Sequence, residues 1–351
     1  MVFRRGRWSP AGDGHRGGRR RPPPPSGSVV TGEGLRPAPT GAGLFLVINP
    51  HSGQTKRRPD PKPILDSEMP DAVVHVLGKG ERISDVMRAA VGSTTPPTIL
   101  GVYGGDGSVA AAAEVAFETH LPLLVLPGGT LNHFALTVGI PDLATGIAAA
   151  QAGTGSAVDL AEIDFGDRGR VLALNTLSVG VYPRFVQFRT RMEPTIGRPL
   201  ATLAAALRAA FTAAPLDGSL DGQELRVWSM FIGVGRYAPP RGAPLKRQGF
   251  DDGVLDVRIL RSTARSRGRG FLSLLSSRTR SLTDHGPEPM FHAPRHSLVF
   301  TRTAITLRSN TDSAQFYAHD GEVQKAPPFI PGGTRAVTVR VLPAAIEIYR
   351  P

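Results

Sequence analysis

Residues 99–117, ILGVYGGDGSVAAAAEVAF, set three glycines around Asp106 between a β-rich apolar run and an alanine-rich run. Such a stretch reads as strand, tight turn and helix. A chain leaving the end of a strand this way presents backbone N–H groups at a helix start, where the helix dipole favours an anion. The runs on either side have the same character. GLFLVINP (43–50) and LPLLVLPGG (121–129) are compact apolar strands, while GERISDVMRAAV (80–91), SVAAAAEVAFET (108–119) and LNHFALTVG (131–139) have helical spacing. Alternation of this kind predicts a doubly wound parallel sheet over about 44–151.

In an open α/β sheet, ligands bind beyond the carboxyl ends of the strands. Each of the three strand ends here carries a polar, glycine-containing turn: NPHSG (49–53), GGDGS (104–108) and PGGTLNHFA (127–135). Together they predict one crevice in which glycines admit an anion to the backbone and the hydroxyls of Ser52, Ser108 and Thr130 add donors. The chain has no GxxxxGK followed by Ser or Thr, and no GxGxxG opening a helix after a strand, so neither a P-loop nor a dinucleotide fingerprint accounts for the turns.

Beyond residue 156 the pattern changes to short β-rich runs, among them AVDLAEIDF (157–165), RVLALNTLSVGVY (170–182), LRVWSMFIGVG (225–235), VLDVRIL (254–260) and AVTVRVL (336–342). These predict a mostly antiparallel sandwich or barrel, interrupted by a helical insert at 199–214. The chain divides on this reading into a tail (1–39), an α/β domain (42–155) and a β-rich domain (156–351). With 351 residues, 40% of them hydrophobic, it is long enough for two cores.

The net charge of +12 favours an anionic partner without choosing among nucleic acid, membrane surface and phosphorylated small molecule. Much of that charge lies in the arginine- and proline-rich tail, which is expected to be disordered. The tail has no apolar run of the ~7–15 residues a signal peptide needs, so a cytoplasmic location is expected. No stretch approaches the ~20 apolar residues of a spanning helix, so membrane contact would be peripheral. Cysteine is absent, which removes disulfides, thiol nucleophiles and thiolate metal sites. Ser178 lacks a GxSxG elbow, and Pro294 between His292 and His296 argues against a helical metal pair.

At LVINPHSG, GVYGGDGS, VLPGGTLNHFA, NTLSVGVYPRFVQFR, DDGVLDV and HDGEV the chain resembles the diacylglycerol kinase catalytic-domain family, which includes bacterial lipid kinases and sphingosine kinases. The resemblance implies that Asn49, Ser52, Gly53, Gly104, Gly105, Asp106, Gly107, Ser108, Thr130 and Asn132 bind ATP, with magnesium. It implies a lipid cleft in the β-rich half and final strands that pack back toward the first domain. It places the catalytic acceptor at the DGE motif, Asp320 and Glu322, and a structural magnesium ion on Gly249, Asp252 and Val254. Asn175 and Ser178 would brace the cleft.

The acids fit this chemistry on their own terms. A kinase needs a proton acceptor near the acceptor hydroxyl and charge stabilisation on the transferring phosphoryl group. On a strand, Asp320 and Glu322 would project from one face. Hard oxygen ligands at Gly249, Asp252 and Val254 suit magnesium, and a plain acidic turn fits the same residues. Three readings follow. The first is an ATP-dependent lipid kinase acting on diacylglycerol or a related long-chain alcohol at an anionic membrane, with a homodimer admitted and an apolar wall drawn from Phe185, Phe188, Leu203, Leu207 and Phe211. The second is a kinase of a soluble acceptor such as NAD, against which stands Asn175-Thr176 where NAD kinases carry Asn-Glu. The third is a nucleic-acid-binding protein, for which charge is the sole signal and aromatic interleaving is lacking.

Overall fold

The apolar runs of the first half form a parallel sheet buried on both faces. The structure, a computed structural model, describes residues 35–52, 60–130, 132–212, 215–238, 247–262, 297–309, 316–320, 322–325 and 336–351. Residues 1–34, Gly53, His292, His296 and most of the basic stretch after Arg261 lie outside the described residues. Strands β1 (Leu44–Ile48), β2 (Val73–Val76), β3 (Ile99–Gly104) and β4 (Leu123–Pro127) alternate with α1 (Lys62–Glu68), α2 (Ile83–Val91) and α3 (Asp106–Thr119). Helices α4 (His133–Thr137) and α5 (Leu143–Ala152) follow, and the parallel order is β2-β1-β3-β4.

Period-two alternation sorts the strand residues between two layers of helix. Leu44, Leu46, Ile48, Leu124 and Leu126 pack with Leu65 of α1 and Ile147 of α5. Val47, Val102 and Val125 pack on the other face with Met87 of α2 and Ala112 of α3. Covering both faces is what makes these strands read as continuous apolar runs. Strand β2 was not expected. It is a four-residue edge with Val73 and Val76 exposed, too short and too wet to signal itself.

The second half is antiparallel, as expected. It comprises β5 (Gly155–Asp164), β6 (Arg170–Ala173), β7 (Thr176–Gly180), β8 (Leu216–Leu220), β9 (Gln223–Val234), β10 (Leu255–Arg261), β11 (Ser297–Arg302), β12 (Ala304–Ser309), β13 (Phe316–His319), β14 (Glu322–Lys325) and β15 (Ala336–Tyr349). Its core gathers Ile163, Leu177, Met230, Ile232, Val257, Ile305 and Val339. The two halves share one sheet through β15, whose early residues pair antiparallel with β12 and β5. Its end runs parallel to β4, with Ile348 opposite Leu123.

Two expectations change. Residues 35–38, assigned to the tail, are packed: Ala38 is buried and its N–H donates to the Ala150 carbonyl at 2.9 Å. The helical insert is a pair of helices, α6 (Val181–Ile196) and α7 (Arg198–Thr212), where the sequence predicted one. Helix α6 begins at Gly180, whose φ of +93° suits glycine, and a side chain there would strike the Trp228 carbonyl. The β-branched and proline residues of VYP conceal that start. No helix among the described residues is long and apolar enough to cross a membrane.

Candidate active site

The three glycine turns converge at the carboxyl ends of β1, β3 and β4. Asn49 donates from Nδ2 to Ser108 Oγ at 2.9 Å, and the Gly105 N–H donates to Ser52 Oγ, so the first turn is tied to the second. The N–H groups of Gly128 and Gly129 donate to the Gly104 carbonyl at 2.8 and 3.1 Å, which ties the third turn to the second. Glycine is required where the turns touch. A Cβ on Gly129 would collide with the Gly105 Cα, and one on Gly128 with the Gly104 backbone.

Some of the amides expected to be bare are therefore engaged. Those left without an intrahelical acceptor are the first-turn N–H groups of α3, at Asp106, Gly107 and Ser108. Those of Gly107 and Ser108 border a crevice of ≈ 960 Å³, its open mouth included, lined by Asn49, Ser52, Gly105, Gly107 and Ser108 together with Arg82, Ser84 and Glu114. His51, Glu81, Arg82, Ser84 and Glu114 were not singled out in the sequence. The start of α2 carries two of these, and its position relative to α3 is a tertiary fact. Bonds from the Gly78 N–H and the His75 ring hold the Glu81 carboxyl below its ordinary range.

Two residues of the expected nucleotide set brace the turns. Asp106 accepts from the His133 and Phe134 N–H groups at 3.1 and 3.0 Å, capping α4 and fixing the second turn to the third. Buried Asn132 closes its own turn, accepting from the Gly129 N–H at 2.7 Å and donating to its carbonyl at 3.0 Å. Thr130 is exposed beside them, and Gly53 lies outside the described residues.

The acidic motif of the second half does not sit on one strand face. His319 pairs with Glu322, which leaves Asp320 in the turn between β13 and β14. Asp-Gly is a preferred pair there, and Asp320 has φ +49°. Its carboxylate, with a side chain 3% exposed, accepts from three backbone N–H groups, those of Leu174 (2.8 Å), Asn175 (2.7 Å) and Thr176 (3.0 Å). The carboxylate thereby clamps the crossing from β6 to β7. The Glu322 side chain is outside what the structure describes.

The residues expected to hold magnesium have other partners here. The Gly249 carbonyl accepts from Arg247 Nε at 2.8 Å, Asp252 Oδ2 from the Arg236 N–H at 2.9 Å, and the Val254 carbonyl from the Gly235 N–H at 2.8 Å. No cluster of three acidic, histidine or cysteine side chains suited to a metal occurs among the described residues. With one carboxylate, and a guanidinium on a proposed ligand, these residues do not fit a resident divalent ion. Asp256 is a neighbouring buried acid that pairs with Arg258 at 2.8 Å and accepts from the Tyr237 N–H.

An apolar cavity opens inside the antiparallel half, ≈ 850 Å³ including its mouth, lined by Ile163, Phe165, Leu177, Val179, Leu225, Met230 and Tyr317. Arg168, Asp217 and Arg308 stand on its border. The wall expected from the helical insert is not this one. Leu203 and Leu207 are exposed, Phe185 and Phe188 pack beside Val181 and Trp228, and the Phe211 side chain is outside the described residues.

Residues 43–163 match the diacylglycerol kinase catalytic domain family. This segment contains all three glycine turns, so the resemblance read from them holds over the first half of the chain. The match ends before β6, which leaves Asp320, Glu322 and the Gly249–Val254 loop outside it. A solved diacylglycerol kinase structure from Bacillus anthracis str. Sterne is 18% identical, covering 88% of this chain and 96% of that one, with a TM-score of 0.55. Another structure from the same organism gives 0.59 over the same shares. At that identity the likeness establishes the fold, an α/β half with a parallel sheet followed by an antiparallel half. A protein of Synechocystis sp. is 25% identical over 255 residues, 71% of this chain. The chain spans about half the length of that relative (54%).

Proposed function

We propose that the protein transfers the γ-phosphoryl group of magnesium-ATP to the hydroxyl of diacylglycerol or a related long-chain alcohol. The observation that carries this reading is the placement of the apolar cavity. Tyr317 and Leu177 line it, and the chain continues from Tyr317 directly into the acidic turn, where the Asp320 N–H donates to the Thr176 carbonyl at 2.9 Å. A lipid whose chains fill that cavity would bring its polar end toward the DGE motif. A soluble acceptor such as NAD has no use for an apolar chamber of this size.

On this reading the α3 amides, with Ser52 and Ser108, hold the ATP phosphates, and magnesium arrives with the nucleotide. Asp106 and Asn132 keep the turns in register. Asp320 holds the β6–β7 crossing, and Glu322, beyond it on β14, takes the proton of the acceptor hydroxyl. Such a kinase would work from the membrane surface, and we place it in the cytoplasm with the basic residues before Leu35 and the basic stretch after Arg261 against anionic lipid. We keep domain limits of 42–155 and 156–351, with Val158, Leu160, Ile346 and Ile348 packing back into the first core.

The test is transfer of labelled phosphate from magnesium-ATP into a total lipid extract in mixed micelles, with NAD offered in parallel. The expected result is a phospholipid product and no NADP. Formation of NADP without a labelled lipid would overturn the lipid reading and leave the fold intact.

A further inference from the structure

Arg247 is 6% exposed, and its guanidinium bonds to carbonyl oxygens on two separate segments. Nε donates to Gly249 at 2.8 Å and Nη2 to Phe250 at 3.3 Å, both in its own loop, while Nη1 donates to Leu174 at 2.9 Å, 73 residues away. The Leu174 N–H is held at the same time by Asp320. The next residue is held in the same manner, with the Asn175 N–H on Asp320 and its carbonyl accepting from the Tyr237 hydroxyl at 2.9 Å. The β6–β7 crossing is thus gripped by a buried anion on its amides and a buried cation on a carbonyl.

We infer that the Arg247 guanidinium is the resident cation of the Gly249–Val254 loop, standing on the Gly249 carbonyl that a divalent metal ion would otherwise share with Asp252 and Val254, and that it fastens this loop to the crossing that Asp320 holds. Carbonyl oxygens turned toward one point need a positive partner, and a guanidinium offers five donors in a fixed fork. The space around them is filled. Gly235, at φ +74°, brings its backbone against the Gly249 carbonyl, and a Cβ there would also come within 3.2 Å of Arg247 Nε. Burial pushes the guanidinium below its ordinary pKa, and Tyr237, Asp159, Asp320 and Asp252 oppose that fall. Arginine stays protonated under such conditions. A divalent ion on Gly249 and Asp252 would therefore sit beside a fixed positive charge and be repelled. The inference concerns the chain's internal contacts and does not depend on which substrate is phosphorylated.

The experiment uses the full chain without nucleotide. Melting temperature is measured in EDTA and across a magnesium titration, and manganese binding is followed by electron paramagnetic resonance, for the wild type and for Asp252→Asn. Any metal effect is expected to be the same in both proteins. A saturable magnesium stabilisation, or a bound manganese signal, that Asp252→Asn abolishes would overturn the inference. Arg247→Lys is expected to lower the melting temperature, because one ammonium cannot reach carbonyls on both segments, and Arg247→Met to lower it further. An Arg247→Met protein as stable as the wild type would also overturn it. If that variant does not fold, the comparison of wild type with Asp252→Asn decides alone.

Discussion

In the parallel half the glycine turns beside the candidate phosphate crevice meet mostly through backbone, while Arg82, Glu81 and Glu114 line its other side. Gly104, Gly105, Gly128 and Gly129 lie against one another, and the side chains that join them are small and neutral, Asn49, Ser52 and Ser108. The antiparallel half instead buries full charges. Asp159, Asp256, Arg247 and Asp320 are each almost wholly covered; Asp159 and Asp320 are satisfied by backbone groups of other segments, Arg247 by carbonyls of its own loop and of Leu174, and Asp256 by Arg258 and the Tyr237 N–H. The difference follows from what each region must do. Turns that receive a polyanion gain from open amides and from glycines that let the backbone approach it. Irregular crossings between antiparallel strands leave buried amides and carbonyls that the ladder does not pair, and charged side chains supply strong partners for them.

The comparison is tested hardest at the acidic turn. Glu322→Gln is expected to lower kcat by ~10²–10⁴-fold with the melting temperature unchanged, as for loss of a proton acceptor. Asp320→Asn is expected to cost about 1–3 kcal/mol in stability, because an amide NH₂ would face backbone N–H donors. Steady-state kinetics and thermal melts on both variants check this. The opposite pattern, a stable but inactive Asp320→Asn and an active Glu322→Gln, would exchange the two roles.

In the parallel half the most sensitive position is Gly129. Gly129→Ala sets a methyl group against the Gly105 Cα, where neither backbone can yield, and displaces two turns at once. A fall of about 100-fold in kcat/KM is expected from that misplacement. Fluorescent-nucleotide titration of the folded variant should show weakened binding. Wild-type affinity would mean that the turns do not form the phosphate crevice.

Where the halves join, Tyr349 donates to the Arg36 carbonyl at 2.8 Å, and burial pushes its phenol up to about 12. A pKa raised in the folded state gives stability that is complete below the unfolded value near 10 and is lost as pH rises through about 12. Urea melts across that range should therefore show an alkaline loss that Tyr349→Phe reduces. An identical alkaline profile in the variant would assign the loss to other groups. The smallest effect is expected for charges on the surface of the parallel half. Arg88 pairs with Glu118 at 2.8 Å and with Glu114 at 3.3 Å in the open, so Arg88→Ala should change stability by at most ~1 kcal/mol. A larger change in a thermal melt would show that the contrast between exposed and buried charge is overdrawn.

Much of the parallel half is legible residue by residue. The alternation of Leu44, Leu46 and Ile48 with Phe45 and Val47, and the strand-turn-helix succession around Asp106, encode a two-faced sheet with turns at its carboxyl edge. Strand β2 and helix α6 escape such a reading for local reasons. Val73–Val76 is short and half wet, and VYP at 181–183 reads as β while Gly180 has no side chain with which to cap a helix. The motif residues are legible as a set, but their division of labour is not. Asp106 could be placed among glycines, yet that its carboxylate caps α4 depends on how β3 and β4 stand side by side.

By itself the sequence determined the elements whose signal is local: apolar periodicity, the glycines at strand ends and the change from alternating helices and strands to β-rich runs. Only the tertiary structure decided which polar groups meet. Arg247 and Leu174 are 73 residues apart, and Asp320 lies more than 140 residues from the amides it binds. A side chain's partner across such separations is fixed by strand order and register, which the chain acquires when its apolar faces close on each other. Motif resemblance therefore suggested a metal loop and a pair of catalytic acids, while packing made one of those acids a clamp and set an arginine on the Gly249 carbonyl.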